Sequence, residues 1–365
     1  MTGLAELAAA LVAIDSVNPD LIPGGAGEGE IARFVAGWLE RAGLEVSVEE
    51  AAPGRPNVVG VARGSGGGRS LLLNAHLDTV GLLEPDGGLA PRLEGGRLYG
   101  RGSYDMKASL AAIMLAGAEC ARRGLRGDVI VTAVADEEVA SIGTAAVCER
   151  WRADAAIVSE PTEERVCVAH KGFVAFEIET AGRAAHGSRP DLGVDAIARM
   201  GHVLVGIEAL DALLRAGPEH PLLGTGSVHA SVIEGGQEYS SYPARCLLKG
   251  ERRTVPGETA EQVERELTAL LGDLDGGFSM PFARAPLETE EDQEIVQLVL
   301  RHAGATEAGG VPFWADSALL AAAGIPTVVY GPVGEGAHAE VEWVDVASAE
   351  RCRDVYVAVA ADLCG

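Results

Sequence analysis

The sequence predicts an α/β protein whose mixed, mostly parallel sheet is sandwiched by helices, with a smaller α+β domain inserted into it. In the first half of the 365 residues, short runs rich in Val, Ile and Leu alternate with helical patterns, which is typical of a parallel sheet covered by helices. From about Cys167 the order changes to that of a small antiparallel sheet with two helices. Helix–strand alternation then returns near the C-terminus.

The first half contains four predicted strands and three predicted helices. The strands are "NVVGVARG", "SLLLNAHL", "DVIVTAVAD" and "DAAIVSE", which begin at residues 57, 70, 128 and 154. Two helices are "DMKASLAAIMLAGAECARRG" from residue 105 and "EEVASIGTAAVCERW" from residue 137. We interpret "MTGLAELAAALVAIDSVNPD" as an amphipathic first helix, because Glu6 and Asp15 interrupt it and it lacks the basic segment of a signal peptide.

The predicted inserted domain has the order strand–helix–strand–strand–helix–strand, which is typical of a ferredoxin-like α+β fold. Its segments are "VCVAHKGFVAFEIETAG", "PDLGVDAIARMGHVLVGIEALDALL", "GSVHASVIEGG", "ARCLLKGERR", "ETAEQVERELTALLG" and "GFSMPFARAPLE". The segments "EDQEIVQLVLRHAG" and "ADSALLAAAGIPTVVYG" then resume the helix and helix–strand pattern. The predicted boundaries are 1–168 and 287–365 for the larger domain and 169–286 for the insert.

Composition excludes several classes of partner. A formal net charge of −25 argues against nucleic acid and against binding of anionic membranes through a basic patch. No stretch reaches the roughly 18 uninterrupted apolar residues that a membrane span needs. The six cysteines show no C-x-x-C spacing and are predicted to be reduced residues of a cytoplasmic protein.

Acids and histidines follow the predicted strands or lie in loops. This set comprises His76, Asp78, Asp105, Glu137, Glu138, Glu160 and His338. Alternate residues of a strand point to the same side, so His76 and Asp78 leave their strand together. Sites in open α/β sheets gather at the carboxyl ends of strands. Imidazole mixed with carboxylates suits zinc, manganese or cobalt, whereas calcium prefers oxygen ligands alone.

Each member of this set also has a purely structural explanation. His76 and Asp78 could form a local hydrogen-bonded pair, and "ADEEV" could be an acid-rich helix N-terminus. Asp105 could be a turn residue, Glu160 a loop residue and His338 a solvated histidine. Their joint occurrence in one domain favours a metal site. A nucleotide-dependent enzyme is disfavoured, because the sequence contains neither a P-loop nor a full dinucleotide fingerprint.

The order of motifs resembles that of the co-catalytic metallo-aminoacylase and carboxypeptidase family. That family includes acetylornithine deacetylase, succinyl-diaminopimelate desuccinylase, bacterial glutamate carboxypeptidase and aminoacylase-1. The matching segments are "LVAIDSVNPD", "NAHLDTV", "LYGRGSYDMKASLAA", "VADEEVASIGT", "SEPT", "HGSRPDLGVDAI", "RRTVPGE" and "GAHAEVEWV". The resemblance implies a zinc-peptidase-like catalytic domain and an inserted lid and dimerisation domain, through which the chain would form a homodimer.

The resemblance also implies two divalent metal ions, zinc before cobalt or manganese. His76 would bind one metal and Glu138 the other, with Asp105 bridging both. Glu160 would complete the first site and His338 the second.

Further residues receive roles from the same resemblance. Asp78 would orient His76 and tune its basicity, and Glu137 would be the general base. A cis peptide would follow Asp105. His186 would stabilise the oxyanion, usually in the partner subunit's site.

The resemblance also implies which residues contact the substrate. Arg253, rather than its neighbour Arg252, would bind a substrate carboxylate; alternatively these are solvated charges at a strand end. Many relatives carry asparagine in the pattern G-G-x-x-x-N-x-x-P, where "GGQEYSSYP" places Ser240. A hydroxyl offers one donor where an amide offers two.

The implied function is removal of an N-acyl group from an amino acid. Within the family, the sequence most resembles the acetylornithine deacetylase branch. The segment "FWADSALLAAAGIPTVVYGP" also resembles that branch. Alternatives within the family are a desuccinylase and a dipeptidase or carboxypeptidase that acts on short peptides. A non-catalytic relative that binds a metal or an amino acid is a further alternative, but it would have little use for Glu137.

Overall fold

The computed structural model describes residues 3–82 and 88–365, which divide into two compact units. Unit 1 comprises Met1–Val168, Thr289–Gly310 and Ala315–Gly365, and unit 2 comprises Ala169–Glu288 and Val311–Trp314. In the described part of the chain, no helix is both long and apolar enough to cross a membrane.

Helices and strands alternate through most of the chain. The helices are α1 (Leu4–Val12), α2 (Gly29–Arg41), α3 (Ala108–Arg123), α4 (Ile142–Arg150), α5 (Ala196–Arg215), α6 (Ala260–Leu271), α7 (Glu294–Ala303), α8 (Ser317–Ala322) and α9 (Val346–Cys364). The strands are β1 (Glu45–Ala52), β2 (Arg55–Ala62), β3 (Leu71–His76), β4 (Arg92–Glu94), β5 (Arg97–Tyr99), β6 (Val129–Val134), β7 (Ala155–Val158), β8 (Cys167–His170), β9 (Gly172–Ala181), β10 (Ser227–Gly235), β11 (Arg245–Thr254), β12 (Gly276–Arg284), β13 (Leu287–Glu288), β14 (Gly309–Val311), β15 (Thr327–Val329), β16 (Gly334–Glu335) and β17 (Trp343–Asp345).

The main sheet of unit 1 has the strand order β1-β2-β6-β3-β7-β15-β8. Its central strands β6, β3, β7 and β15 run parallel, whereas β1, β2 and β8 are antiparallel to their neighbours. Strands β2, β3, β6 and β7 are buried along their whole length, as expected for a sheet covered on both faces. The predicted fold class, a mixed α/β sheet between helices, is therefore confirmed.

Helices cover the two faces of this sheet. Val147 of α4 and Leu320 of α8 pack with Ile130 in one buried cluster. On the opposite face, a methyl group added to Gly117 of α3 would lie 2.6 Å from Val131, so the helix approaches β6 closely because residue 117 is glycine. This burial holds the carboxyl ends of β3, β6 and β7 in a fixed arrangement.

Two predicted helices begin later than the sequence pattern indicated. The helix expected from residue 137 begins at Ile142, because residues 137–140 form a turn that is flanked by Asp136 and Ser141, which adopt left-handed φ values of 67° and 54°. The helix expected from residue 190 begins at Ala196, after the side chain of Asp195 caps it by accepting the Ala198 N–H.

Unit 2 contains an antiparallel sheet of order β10-β11-β9-β12 with two helices. The elements follow one another as β9, α5, β10, β11, α6 and β12, which is the predicted strand–helix order. Val174 and Phe176 of β9 pack against Met200 of α5 and Val263 of α6. The two helices therefore cover one face of this sheet.

Candidate metal centre

Acidic and histidine side chains of unit 1 converge from five separate segments. His76 ends β3, Glu138 lies in the turn after β6, and Glu160 follows β7. Asp105 lies just before α3, and His338 lies between β16 and β17. The structure thus brings all five predicted ligands together at the carboxyl ends of the parallel strands.

These five residues form two donor groups that share Asp105. One group is His76, Asp105 and Glu160, and the other is Asp105, Glu138 and His338, with the donor atoms of each group within 4.8 Å of one another. Asp105 Oδ1 lies 3.0 Å from His76 Nε2, and Asp105 Oδ2 lies 3.4 Å from His338 Nε2. Each carboxylate oxygen of Asp105 therefore faces a different donor group.

The remaining distances complete each group. Glu160 Oε1 lies 3.7 Å from His76 Nε2, and Glu138 Oε2 lies 3.0 Å from His338 Nε2. The Glu138 Oε1 atom is buried and has no hydrogen-bond partner among the described residues. A buried carboxylate oxygen without a partner is costly, and a cation would satisfy it. The donor set, two imidazoles and three carboxylates, fits two divalent cations of the zinc type.

The electrostatics of the cluster also favour cations. Burial, followed by repulsion from Asp105, raises the pKa of Glu160 well above its ordinary value and raises that of Glu138. Burial opposes the charged form of His76, but the Asp105, Glu160 and Asp78 carboxylates outweigh it and raise the pKa of His76. Hydrogen bonds to Asp105 and Glu138 raise the pKa of His338 to about 10. Without a cation, the cluster holds protons to offset its crowded negative charge.

These shifts predict that the metal-free protein becomes less stable as pH rises from about 6.5 to 10. The pKa values of His76 and His338 lie above 6.5 in the folded state, so their contribution is complete below 6.5 and is lost as pH rises through the folded values. The melting temperature of the protein in the presence of a chelator, measured across this pH range, reports this loss of stability. His338→Gln should flatten the dependence, and a melting temperature that rises with pH would contradict the prediction.

Asp78 fixes the segment that carries the two adjacent glutamates. Its Oδ1 accepts the Glu137 N–H at 3.1 Å, and its Oδ2 accepts the Glu138 N–H at 3.2 Å and the Asn18 side-chain amide at 2.7 Å. The Nδ1 atom of His76 lies 2.9 Å from the backbone oxygen of Asp78 and 3.6 Å from its carboxylate. Asp78 therefore contacts His76 through its carbonyl group and the glutamates through its side chain.

A buried ionic network that sequence reasoning missed lies behind Asp78. The Asn18 amide also donates to Asp136 Oδ1 at 2.9 Å. Arg55 pairs with Asp136 at 3.0 Å and with Glu28 at 2.7 Å, and its guanidinium contacts Asp20 as well. Asn18 lies within the motif "LVAIDSVNPD", but nothing in the pattern indicated its partners.

Glu342 organises the loop that carries Asp105. Its carboxylate accepts the backbone N–H groups of Gly102, Tyr104 and Asp105 at 2.8, 2.9 and 2.9 Å. Arg101 donates to the same carboxylate at 2.6 Å. Sequence reasoning missed Glu342, although it lies within the matching segment "GAHAEVEWV".

The backbone around the site is irregular. The peptide between Asp105 and Met106 is cis, as the resemblance implied. Asp136 and His338 adopt left-handed φ values of 67° and 61°, conformations that are uncommon outside glycine and cluster at functional sites.

Glu137 has a carboxyl whose surroundings disfavour its charged form. Burial, followed by repulsion from Glu160, raises its pKa well above the ordinary value. Its backbone is fixed by Asp78 and by Ser141, whose hydroxyl donates to the Glu137 carbonyl at 3.4 Å. A carboxyl of this kind can hold and release a proton nearer neutral pH.

The other predicted site residues lie in unit 2. His186 is exposed, and its Nδ1 lies 2.8 Å from the Ser188 hydroxyl. The Ser240 backbone oxygen accepts the Gly187 N–H at 2.6 Å, so Ser240 and His186 lie on neighbouring segments.

Arg252 and Arg253 differ in what they contact. Arg252 is buried and pairs with Glu258 at 2.7 Å and Glu266 at 3.0 Å. Arg253 is partly exposed, and among the described residues Glu251 alone pairs with it, at 2.6 Å from Nε. Arg253 is therefore the more available of the two for a substrate carboxylate.

Comparison with known proteins identifies one matching family and solved structures whose fold is similar to that of this chain. The sequence model of Peptidase family M20/M25/M40 matches residues 72–362. An acetylornithine deacetylase of Myxococcus xanthus is 31% identical over 351 residues, which covers 90% of each chain. Aminopeptidase PepT from Bacillus cereus superposes with a TM-score of 0.81 at 20% identity, covering 99% of this chain and 98% of that one. The Bacillus subtilis YXEP protein, described as a dinuclear metal binding peptidase, superposes with a TM-score of 0.74 at 17% identity, covering 99% and 97%.

Proposed function

Because this chain belongs to peptidase family M20/M25/M40, we propose that it is a hydrolase that uses two divalent cations to remove an N-acyl group from an amino acid. The observation that carries the proposal is the pair of donor groups that share Asp105, with Glu137 next to Glu138. The activity of the Myxococcus xanthus relative supports an N-acyl amino acid as the substrate.

We assign the two cations to the two donor groups. His76, Asp105 and Glu160 would hold one, and Asp105, Glu138 and His338 would hold the other. When bound, such cations polarise the scissile carbonyl and lower the pKa of a water molecule. Zinc suits this mixture of imidazole and carboxylate, and cobalt or manganese would accept the same donors.

Glu137 would transfer the protons. With its pKa raised by burial and by Glu160, its carboxyl can take a proton from the attacking water and return it to the leaving amine. Asp78 holds the backbone of Glu137 and Glu138, so the base and the adjacent ligand keep fixed positions. A relative that only bound metal would have no need of this second carboxyl.

Three residues of unit 2 would serve the substrate. Because Nδ1 of His186 contacts Ser188, the other ring nitrogen would donate to the oxyanion that develops on the scissile carbonyl. The guanidinium of Arg253 would bind the substrate carboxylate. The exposed hydroxyl of Ser240 would add one hydrogen bond.

We also propose a homodimer that forms through unit 2. Strand β10 is at the edge of its sheet and exposes Val232 and Ile233, at 45% and 51% of their surface. Helix α5 packs against β10 and exposes Val205 and Leu213, at 67% and 70%. An edge strand beside apolar side chains favours pairing with a second copy about a two-fold axis.

Replacing Ile233 by Lys should convert the dimer to a monomer, because a charge on an edge strand opposes strand pairing. Light scattering coupled to size-exclusion chromatography measures the mass. The matched control is Val48→Lys on β1, an edge strand of unit 1 whose Val48 is 56% exposed. A wild-type protein that elutes as a monomer at all concentrations would refute the proposal.

A cytoplasmic location completes the proposal. The six cysteines are all free thiols, and five of them are buried as packing residues, which suits a reducing compartment.

Hydrolysis of a small panel by zinc-loaded protein tests the function. The panel contains N-acetylornithine, N-acetylmethionine, N-succinyl-diaminopimelate and a dipeptide, so it separates deacetylase, desuccinylase and peptidase activities. Turnover of an N-acetyl amino acid that chelator abolishes supports the proposal. Turnover of the dipeptide alone would replace it with peptidase activity.

A further inference from the structure

The buried side chain of Arg101 contacts three separate segments of unit 1. This side chain is 5% exposed, and each of its three nitrogens donates a hydrogen bond. The Nε atom donates to the Gly81 oxygen at 3.1 Å, Nη1 to the Glu342 carboxylate at 2.6 Å, and Nη2 to the Ala339 oxygen at 2.7 Å. One guanidinium therefore connects segments that are distant in the sequence.

The segments that meet at this guanidinium carry proposed ligands. Gly81 lies five residues after His76, and Ala339 directly follows His338. The arginine itself belongs to the loop that leads to Asp105, four residues further on. We call residues 100–105 the Asp105 loop and residues 336–342 the His338 loop.

Glu342 joins the same two loops by further hydrogen bonds. It lies four residues after His338, and its carboxylate accepts three backbone N–H groups of the Asp105 loop. Its backbone oxygen also accepts the Gly100 N–H at 3.1 Å. Together with the hydrogen bond from Arg101, these contacts fix the two loops relative to each other.

The two donor groups differ in what holds their histidines. His76 ends strand β3, which is buried along its whole length and pairs with both β6 and β7. His338 instead lies among exposed residues, from 337 to 341, and has a left-handed φ of 61°. A segment with few buried side chains depends on its hydrogen bonds for a fixed position. The His338 loop therefore depends on Arg101 more than β3 does.

From these contacts we infer that Arg101 is a positioning residue that keeps His338 in place for the second cation, the one held with Asp105 and Glu138. The inference rests on the proposed function, in which each donor group holds a cation. Arg101 is not itself a ligand and acts through the loop that carries one. Its loss should therefore weaken the binding of the second cation and spare the first.

The shape of the guanidinium allows this role. Its planar fork presents N–H groups in fixed directions, so one arginine can serve three acceptors at once. Lysine offers a single nitrogen on a flexible stem, so Arg101→Lys would keep the charge beside Glu342 and lose the connection between the loops. Arg101→Gln removes the charge as well, and the two variants together separate charge from geometry.

The test is a calorimetric titration of metal-free protein with zinc, in the presence of a competing chelator. The wild type should bind two zinc ions per chain. In both Arg101 variants the second ion should bind about 10- to 100-fold more weakly, as expected when a partner that orients a ligand is lost, while the first keeps its affinity. Partial unfolding would lower the stoichiometry of both sites together, so it cannot imitate this result.

Hydrogen exchange of the metal-free protein tests the positioning without any cation. Arg101→Gln should make backbone amides of the Asp105 and His338 loops exchange about tenfold faster, which corresponds to the loss of a hydrogen bond. The amides of β3 should keep their wild-type rates. Unchanged exchange in both loops would overturn the inference, whatever the titration shows.

Arg97→Gln is the matched control. Arg97 is an exposed arginine of β5, and its guanidinium carbon lies 3.8 Å from the ring centroid of Trp343, the residue after Glu342. It therefore contacts the same strand, β17, through an aromatic ring rather than through a ligand loop. This variant should bind both zinc ions as the wild type does.

The outcomes separate the inference from the proposed function. An Arg101→Gln variant that binds both ions like the wild type, or loses both together, overturns the inference and leaves the two cation sites standing. Wild-type affinity for the second ion in Arg101→Lys also overturns it, because charge alone would then suffice. A wild type that binds fewer than two zinc ions overturns the proposed two-cation function and the inference with it.

Discussion

Replacing Glu137 by Gln is expected to lower kcat by about 10²- to 10⁴-fold, the range that a general acid–base catalyst contributes. Glutamine keeps the size of the side chain and the backbone hydrogen bond to Asp78, but it cannot accept the proton of the attacking water. Because Glu137 belongs to neither donor group, the variant should bind as many cations as the wild type.

Steady-state kinetics measure the change in kcat, and metal analysis of the same samples measures the number of bound cations. The matched control is Glu149→Gln, an exposed glutamate of α4, which should leave kcat unchanged. A Glu137→Gln variant with kcat within twofold of the wild type would remove Glu137 from the mechanism.

Replacing Asp105 by Asn is expected to have an effect of similar size by a different route. Each carboxylate oxygen of Asp105 faces one donor group, at 3.0 Å from His76 and 3.4 Å from His338. An amide nitrogen carries hydrogens and cannot ligate a cation, so one of the two groups loses a ligand. We expect fewer than two cations per chain and a fall in kcat/KM of about 10³-fold, since a metal ion supplies several kcal/mol of transition-state stabilisation.

Metal content after dialysis and kcat/KM at saturating zinc check this prediction. Asp273→Asn, at an exposed position of unit 2, is the control and should retain two cations. Two tightly bound cations in Asp105→Asn would show that Asp105 does not bridge them.

Much of the fold could be predicted from the sequence, because the composition of each short segment indicates whether it forms a buried strand or a helix. The runs that form β3, β6 and β7 are mostly apolar and are buried along their whole length, and buried strands of a parallel sheet need that composition. The acids and histidines that directly follow these strands could be identified as candidate ligands, because their position after a strand is also a local feature of the sequence.

The partners that hold these residues in place could not be predicted. Glu342 lies 237 residues from Asp105 in the chain, and Arg55 lies 81 residues from Asp136. No periodicity connects such positions, since their pairing depends on the finished fold.

Tertiary contacts also explain why α4 starts late. The Asp78 carboxylate accepts the Glu137 and Glu138 N–H groups, so a turn replaces the first turn of the helix that the pattern predicted. In unit 2, Phe173, Arg253 and Arg284 become neighbours only through strand register, which no local pattern indicates.

The most direct test of the central claim is a zinc titration of metal-free enzyme, followed by acetate release from an N-acetyl amino acid. The account predicts no release without metal and a rise in rate that is complete at two bound cations per chain. Protein that carries two cations and hydrolyses no amide, or metal-free protein that is fully active, would contradict it.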